Sequence, residues 1–330
     1  MKRREFITGL AGAAAIYPLA VRAQQPAGKV PRIGVLMNTI EGQPEGKTRI
    51  DAFRQGLAQA GWVEGRNIQL DYRWATDLDH VAGATAEMVA SAPDVIVANG
   101  TPFVNAVAKA TRTIPVVFAL SNDPVGLGHI SSMAHPGGNI TGFTFMEMSL
   151  IGKWIDMLKQ ASPGLRRTAL LYNAATTAYY IPFLRQVAAT PSMLPLPLVE
   201  AQFDDARNLQ AWTETFARER GGSLIAPAGP FSIVNGKQLA QLAERLKLPA
   251  ISIYRQFAVD GGLMAYGPDP ADIFSRTAEY VDRILKGASA GDLPAQTPIK
   301  FLLTINMKTA RTLDLTIPPT LLATADEVVE

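Results

Sequence analysis

The residue types that could hold a small molecule in this chain are hydroxyls, amides, one carboxylate and aromatic rings. In chain order, the candidate binding residues are Asn38, Thr39, Gly100, Thr101, Asn122, Asp123, Asn173, Thr176, Phe231 and Tyr254. Hydroxyl and amide groups can bind a carboxylate, Asp123 can bind an ammonium group, and Phe231 or Tyr254 can cover an apolar body. The set therefore suits a small zwitterion or carboxylate. Because a helix cap explains any single member equally well, the hypothesis depends on the whole set.

The sequence contains no motif that indicates catalysis or metal binding. The sequence contains neither a Gly-x-Ser-x-Gly turn nor a serine and histidine at a spacing typical of nucleophilic catalysis. It has no cysteine, and His80, His129 and His135 occur singly, which is poor material for a zinc site. The adjacent Asp204 and Asp205 are better interpreted as a helix cap than as an acid and base pair. We therefore predict no enzyme activity, no catalytic residues, no metal and no cofactor.

A glycine-containing segment at residues 42–48 lies between a predicted strand and a predicted helix, where a phosphate-binding loop would belong. Three residues separate Gly42 from Gly46, whereas the nucleotide-binding loop needs four between its glycines. Pro44 also removes a backbone N–H that would bind phosphate. Nucleotide binding is therefore not predicted.

The charge of the chain is close to balanced, with 31 basic and 29 acidic residues and a formal net charge of +2. Four of the basic residues and one acidic residue lie within residues 1–23, so the remainder is slightly acidic. A chain without a basic excess has no electrostatic reason to bind nucleic acid. We expect a small-molecule ligand and no nucleic-acid partner.

The first 23 residues have the pattern of an export signal. A charged start with Arg3 and Arg4 precedes an apolar run of small residues, and Ala23 ends a small-x-small cleavage motif. The run is shorter than the ~20 residues that a bilayer span needs, and Pro18 interrupts it. The paired arginines resemble a twin-arginine signal, and a general secretory signal would lead to the same compartment. We predict a signal peptide over residues 1–23, cleavage after Ala23, and a periplasmic location.

From residue 30 onward, short apolar runs alternate with longer segments of helical period, which predicts parallel sheets with crossover helices. In the run from Ile68 to Trp74, apolar and polar side chains alternate, so this strand is expected near a sheet edge. The run from Val116 to Leu120 is apolar on both faces and is expected in a sheet interior. Two such series follow each other. The sequence therefore predicts an α/β fold of two Rossmann-like lobes, with parallel sheets flanked by helices, joined by crossing strands.

The predicted architecture determines where the candidate residues lie relative to one another. In doubly wound sheets, ligands bind beyond the carboxyl ends of the strands, where helix N-termini offer free amides and a partial positive charge. The candidate residues lie in loops that follow predicted strands of both series. They are therefore expected to line one cleft between the lobes.

Several segments, in order and at the expected spacing from about Pro31 to the C-terminus, resemble the ABC-transporter substrate-binding proteins of the tryptophan/tyrosine type. They are GWVEGRN at 61–67, IPVVF at 114–118 with DPV at 123–125, PGGNITG at 136–142, GGLMAYG at 261–267, and residues 306–330 with IPP at 317–319 and ADE at 325–327. The ordered set is far more specific than any one segment.

This resemblance implies a type I periplasmic binding fold whose lobes close over a ligand, which is an amino acid, aromatic ones included, or a related carboxylate. The implied lobes are residues 31–142 with about 266–295, and residues 143–265 with about 296–330. The resemblance places the ligand loops around Asn38, Gly100-Thr101, Asn122-Asp123, Asn173 and Phe231. The implied partners are an ABC permease and an ATPase subunit in the inner membrane.

Two other functions remain open at the level of sequence. A sensor lobe that presents its ligand state to a membrane signalling protein would carry the same features. An exported hydrolase on the same scaffold would need a nucleophile or metal in the cleft. A DNA-binding regulator is disfavoured, because the chain has an export signal and lacks a helix-turn-helix segment.

Overall fold

The computed structural model describes residues 30–174 and 177–330. The predicted signal peptide and the candidate Thr176 lie outside the described residues. No helix within the described ranges combines the length and the apolar character that crossing a bilayer requires.

The first lobe is built on a sheet of five parallel strands. They are β1 (Arg32–Met37), β2 (Gln69–Trp74), β3 (Val95–Asn99), β4 (Val116–Ser121) and β5 (Ile140–Thr144). Their order across the sheet is β2-β1-β3-β4-β5. Strand β2 therefore lies at the edge, as its alternating side chains predict, whereas β4 is fully buried and pairs on both sides.

Three helices connect these strands by crossing over the sheet: α1 (Pro44–Gln59), α2 (Leu78–Ala90) and α3 (Gly100–Ala110). Helix α1 begins with Pro44 in its first turn, where a missing N–H costs nothing. Its apolar stripe of Ile50, Phe53 and Leu57 is buried against the sheet core. The segment at 42–48 is thus the start of an ordinary crossover helix.

The second lobe repeats this order and then extends it. Its strands are β6 (Arg167–Tyr172), β7 (Leu198–Gln202), β8 (Gly222–Ala226), β9 (Ala250–Ser252), β10 (Met264–Pro268), β11 (Phe301–Asn306) and β12 (Glu327–Val329). The sheet order is β12-β11-β10-β9-β8-β6-β7, so β6 to β10 follow the same winding as β1 to β5. Strand β11 joins antiparallel to β10. The C-terminal tail therefore widens the second sheet by two strands.

Eight helices accompany this part of the chain. They are α4 (Ser149–Ala161), α5 (Tyr180–Ala189), α6 (Leu209–Ala217), α7 (Pro230–Arg245), α8 (Arg255–Val259), α9 (Pro270–Leu285), α10 (Met307–Thr312) and α11 (Pro319–Leu322). Both ends of α9 carry clear signals, because Asp269 caps its N-terminus and Gly287 follows its end with a φ of +102°.

Helix α9 leaves the second sheet and packs against α1 of the first lobe. Trp62 Nε1, just after α1, donates to Asp282 Oδ1 on α9 at 2.8 Å. The segment after α9 then runs beside β5, where Gln296 N donates to Gly142 O and Thr144 N donates to Gln296 O, both at 2.9 Å. The chain thus crosses between the lobes at residues 145–148, at Asp269 and at residues 297–300. The numerical lobe limits given by the resemblance stay a prediction.

Candidate functional site

The loops that follow the strands of both sheets meet in a cleft between the lobes. Asn122, after β4, has its Nδ2 3.4 Å from the hydroxyl of Tyr179, which lies after β6. Phe145, after β5, stacks on Tyr254, after β9, with ring centroids 6.0 Å apart. These contacts join the carboxyl ends of the two sheets, which is where a doubly wound fold binds ligands.

In the first lobe, a short hydrogen-bond network brings four candidate residues together. Asn38 N donates to Asn99 Oδ1 at 3.3 Å, and Asn122 N donates to Thr101 Oγ1 at 3.0 Å. Gly100 begins α3 with a φ of +82°, and a Cβ there would lie 3.1 Å from Asn38 Nδ2. Glycine at this position therefore lets the start of α3 approach the end of β1.

Two polar atoms in the loops after β1 and β4 are buried without a hydrogen-bond partner among the described residues: Thr39 Oγ1, a donor and acceptor, and Asn122 Oδ1, an acceptor. Buried polar groups are almost always paired, so atoms of this kind mark positions where a ligand can bind. Asp123 is exposed, has a φ of +44°, and accepts from Gly126 N at 2.9 Å. Its backbone forms a tight turn that holds the carboxylate at the rim of the cleft.

In the second lobe, the site is built on tyrosines. The hydroxyls of Tyr179 and Tyr180 both donate to Ala228 O, at 2.8 and 2.9 Å. The Tyr254 hydroxyl accepts from Gly229 N at 3.1 Å. Gly229 has a φ of +153°, and a Cβ there would lie 2.4 Å from Thr177 Cγ2, so no larger residue fits between β8 and the loop after β6.

Asn173 lies in the same part of the second lobe and anchors the loop after β6. Its Nδ2 donates to Asp204 O at 2.8 Å, and its carbonyl oxygen accepts from Thr177 Oγ1 at 2.6 Å. Asn173 thus fixes the backbone that presents Tyr179 to the cleft. Its candidate neighbour Thr176 falls outside the described residues.

Burial sets the protonation of the cleft tyrosines. Loss of hydration raises the pKa of Tyr254 to about 12. The same cause raises the pKa values of Tyr179 and Tyr180 well above their ordinary value. All three therefore remain neutral phenols near neutral pH, able to donate and accept hydrogen bonds.

A cavity of about 350 Å³ opens between the lobes beside these contacts. Such a volume is near the lower end of the ~300–1,000 Å³ that small-molecule sites occupy. Its lining combines amides and a carboxylate with methionine and aromatic side chains: Asn122, Asp123, Met146, Met148, Tyr179, Pro182, Phe183 and Gln186. A second depression of about 290 Å³ lies between α6 and α7 beside Gln238 and Arg245, away from the strand ends.

Phe231 is not brought to this cleft. Its ring stacks on Phe203 with centroids 5.4 Å apart and is 7% exposed, inside the second lobe's core. Phe231 stands in the first turn of α7, where a side chain can point either to the strand ends or under the helix. The Phe231 ring points under the helix because Phe203 and Trp212 form an aromatic cluster there, on which it packs.

Arg49, on the second turn of α1, reaches Asn99 at the end of β3, and sequence reasoning missed it. Its side chain is 15% exposed, with Nη2 3.5 Å from Glu45 Oε2 and Nη1 3.5 Å from Asn99 Oδ1. Burial lowers the pKa of Arg49, and its charge acts on the Tyr254 hydroxyl of the opposite lobe. Arg49 lies one and a half turns into a helix, outside the strand-end loops in which binding residues of this fold are expected. The one indication in the sequence was that Arg49 is adjacent to Ile50, a residue of the apolar stripe of α1.

The remaining titratable candidates have structural partners. His129 Nε2 lies 2.7 Å from Asn105 Oδ1, and burial lowers the pKa of His129. Asp205 caps a short 3₁₀ turn by accepting from Arg207 N at 2.8 Å, as expected of a cap. Across residues 30–174 and 177–330, no three histidine or acidic side chains cluster in a way that could hold a metal ion.

Comparison with known proteins gives a consistent group of relatives. The family model described as ABC transporter substrate binding protein matches residues 33–329. The chain is 24% identical over 266 residues to a tyrosine-binding protein of Clostridioides difficile, which covers 80% of this chain and 75% of that protein.

Solved structures share the fold over most of its length. A conserved domain protein from Vibrio cholerae has a TM-score of 0.79 and 26% identity, covering 91% of this chain and 100% of that one. An ABC domain in complex with L-Trp from Streptococcus pneumonia has a TM-score of 0.79 and 22% identity, with the same coverage of 91% and 100%.

Proposed function

This chain belongs to the family of ABC transporter substrate binding proteins, and we propose that the solute it captures is an amino acid with an aromatic side chain. The observation that carries this proposal is the cavity between the lobes, where Asn122 and Asp123 share a lining with Tyr179 and Phe183. A polar end beside an aromatic wall matches a zwitterion with an apolar body. The similar tyrosine-binding protein and the similar L-Trp complex support the same ligand class.

The proposed binding residues divide between the lobes. Asn38, Thr39, Gly100, Thr101 and Asn122 present amide and hydroxyl groups to the polar end of the solute. Asp123 receives its ammonium group, since a carboxylate forms strong charge-assisted hydrogen bonds with N–H donors.

The second lobe supplies the wall against which the side chain of the solute rests. Tyr179 and Tyr254 are neutral phenols with flat apolar faces, and the methionines at 146 and 148 can adjust to the outline of a ring. Asn173 acts by holding the loop that carries Tyr179.

Closure of the lobes is the proposed working motion. A solute held by one lobe stabilises the closed state because it gains contacts with the other lobe there and nowhere else. Asn122 contacts Tyr179 and Phe145 stacks on Tyr254 across the cleft, so these pairs lie where the two lobes approach each other. The crossings at 145–148, Asp269 and 297–300 are the segments that would bend.

The solute leaves this cycle chemically unchanged, and a permease with its ATPase takes it through the inner membrane. We place the mature protein in the periplasm, beginning after Ala23. Its cleft acts by non-covalent recognition, in which amides, hydroxyls and neutral phenols form hydrogen bonds with the solute and the Asp123 carboxylate pairs with its ammonium group.

Calorimetric titration of the mature chain with L-tyrosine, L-tryptophan and L-phenylalanine tests the ligand class, with L-alanine, L-glutamate and arabinose as controls. We expect saturable binding of the aromatic amino acids and an increase in melting temperature, since a ligand at 100 times its Kd stabilises the folded state by about 2.7 kcal/mol. Recovery of unaltered solute by chromatography would accompany it. Binding of arabinose or L-glutamate alone would overturn the aromatic assignment.

A further inference from the structure

Arg49 is a charged side chain whose hydrogen-bonding capacity is largely unused within its own lobe. A guanidinium carries five N–H donors. The Nη atoms have contacts of 3.5 Å with Asn99 Oδ1 and Glu45 Oε2, which are long for hydrogen bonds, and Nε is buried with no partner among the described residues. A buried donor left without an acceptor is costly.

The ion pair between Arg49 and Glu45 compensates the charge of Arg49 only weakly. Glu45 is on the first turn of the same helix, its side chain is 67% exposed, and solvent screens a pair of this kind. Asn99 and the Tyr254 phenol are uncharged groups. The buried side of the guanidinium therefore faces dipoles rather than an anion, although Arg–carboxylate pairing is the arrangement that best compensates a desolvated guanidinium.

Among the described residues, the buried polar atoms without a partner near the strand ends separate into hydrogen-bond donors at one place and an acceptor at another. Arg49 Nε and the Thr39 hydroxyl, which packs near Gly46 one turn before Arg49, can both donate. Asn122 Oδ1, beside Asp123, can accept. Donors at the α1 end and acceptors at the β4 end are complementary to a carboxylate and an ammonium group, respectively.

We propose that the Arg49 guanidinium binds the carboxylate of the solute, and that the protein therefore selects acids over the corresponding amides and amines. This assignment rests on the proposed amino-acid binding function of the cleft and defines which end of the solute faces α1. The charge of Arg49 acts on the hydroxyl of Tyr254 in the opposite lobe, so the carboxylate would lie between the lobes and contribute to closure.

The test compares L-tryptophan with L-tryptophanamide and tryptamine, and L-tyrosine with L-tyrosinamide, on the wild type, Arg49→Gln and Arg49→Lys. Arg54→Gln is the matched control, because Arg54 lies five residues later, about 140° around the same helix, and pairs with Glu64 at 2.9 Å. We expect the wild type and Arg54→Gln to prefer each acid over its amide by at least about tenfold. Arg49→Gln should bring that ratio close to one, and Arg49→Lys should keep part of it.

The ratio of acid to amide affinity is measured within one variant, so a general loss of stability does not mimic the expected result. Melting curves show whether each variant is folded, and Arg49→Lys supplies the answer if Arg49→Gln is not. A wild type that binds the amino acids and an Arg49→Gln variant that keeps the full ratio would overturn the role of Arg49 while the proposed function stands. A wild type that binds none of the carboxylates would overturn both.

Discussion

Tyr179 and Tyr180 share one acceptor, the carbonyl oxygen of Ala228, and Tyr179 also contacts Asn122 across the cleft. Their phenylalanine variants therefore separate folding from binding. Each should lower the free energy of unfolding by about 1 kcal/mol, the usual net value of one hydrogen bond. Tyr179→Phe should in addition weaken binding of L-tyrosine or L-tryptophan by about tenfold, whereas Tyr180→Phe should not. Urea unfolding and calorimetry measure the two effects, and equal affinities for both variants would contradict the role given to Tyr179.

Tyrosine burial also predicts how stability depends on pH. Desolvation raises the pKa values of Tyr72 and Tyr254 from 10.0 to about 12. Between these two pH values, the unfolded chain loses phenolic protons that the folded chain retains. The contribution to the free energy of unfolding is therefore constant below about pH 10 and falls as the pH rises toward 12.

Tyrosinate absorbance, together with urea unfolding at pH 8, 10 and 11, checks this dependence. At pH 11 we expect less ionisation of the tyrosines in the folded mature chain than in the denatured mature chain. Equal ionisation in the two states would show that the cleft phenols are hydrated. Solute affinity should not change between pH 6 and 9 on account of these tyrosines.

Single residues show where sequence reasoning succeeds and where it stops. Asn38, Gly100, Thr101 and Asn122 could be predicted as one group because strand ends in a doubly wound sheet meet at one edge. Whether a residue just inside a helix faces the cleft or the core depends on the helix rotation about its axis. The Arg49 side chain points toward the strand ends, whereas the Phe231 ring points into the core. The local sequence pattern does not distinguish between these two orientations.

Among the elements, α9 connects the lobes, and its cap also joins two of the crossings. Asp269 Oδ1 accepts from Ala271 N at 2.9 Å, and Asp269 Oδ2 lies 2.9 Å from Lys300 Nζ. Asp269→Ala should lower the free energy of unfolding by about 1–2 kcal/mol, since it removes both the cap and the pairing. Asp269→Asn is the control, because an amide oxygen can still cap. Chemical denaturation compares them, and equal losses would indicate that the Lys300 pair rather than the cap is what matters.

The alternation of strands and helices could be predicted from the sequence, but the pairing of the C-terminal strands β11 and β12 with the second sheet could not. Hydrophobic period and turn residues define β1 to β10 locally, whereas β11 finds an antiparallel partner in β10 only after α9 has crossed to the first lobe and returned. Strand β12 then pairs with β11 through Asn306 and Val329, again far apart in sequence. Pairing of this kind depends on the completed second sheet rather than on local pattern.

For the whole molecule, the route of export is a separate prediction. Replacing Arg3 and Arg4 by lysine preserves the charge but removes the paired guanidinium groups that a twin-arginine receptor reads. We expect the double variant to accumulate uncleaved in the cytoplasm, while the wild type appears in the periplasm with Gln24 as its first residue. Fractionation with N-terminal sequencing measures both. Normal export of the double variant would indicate the general secretory route instead.

Closure of the lobes around an unaltered solute can be measured by small-angle X-ray scattering. The mature chain is titrated with L-tyrosine or L-tryptophan, and calorimetry on the same sample establishes saturation. We predict a smaller radius of gyration at saturation than without solute, because the lobes approach each other about the crossings at 145–148, Asp269 and 297–300. An identical scattering profile at full occupancy would show that the lobes do not close around the solute.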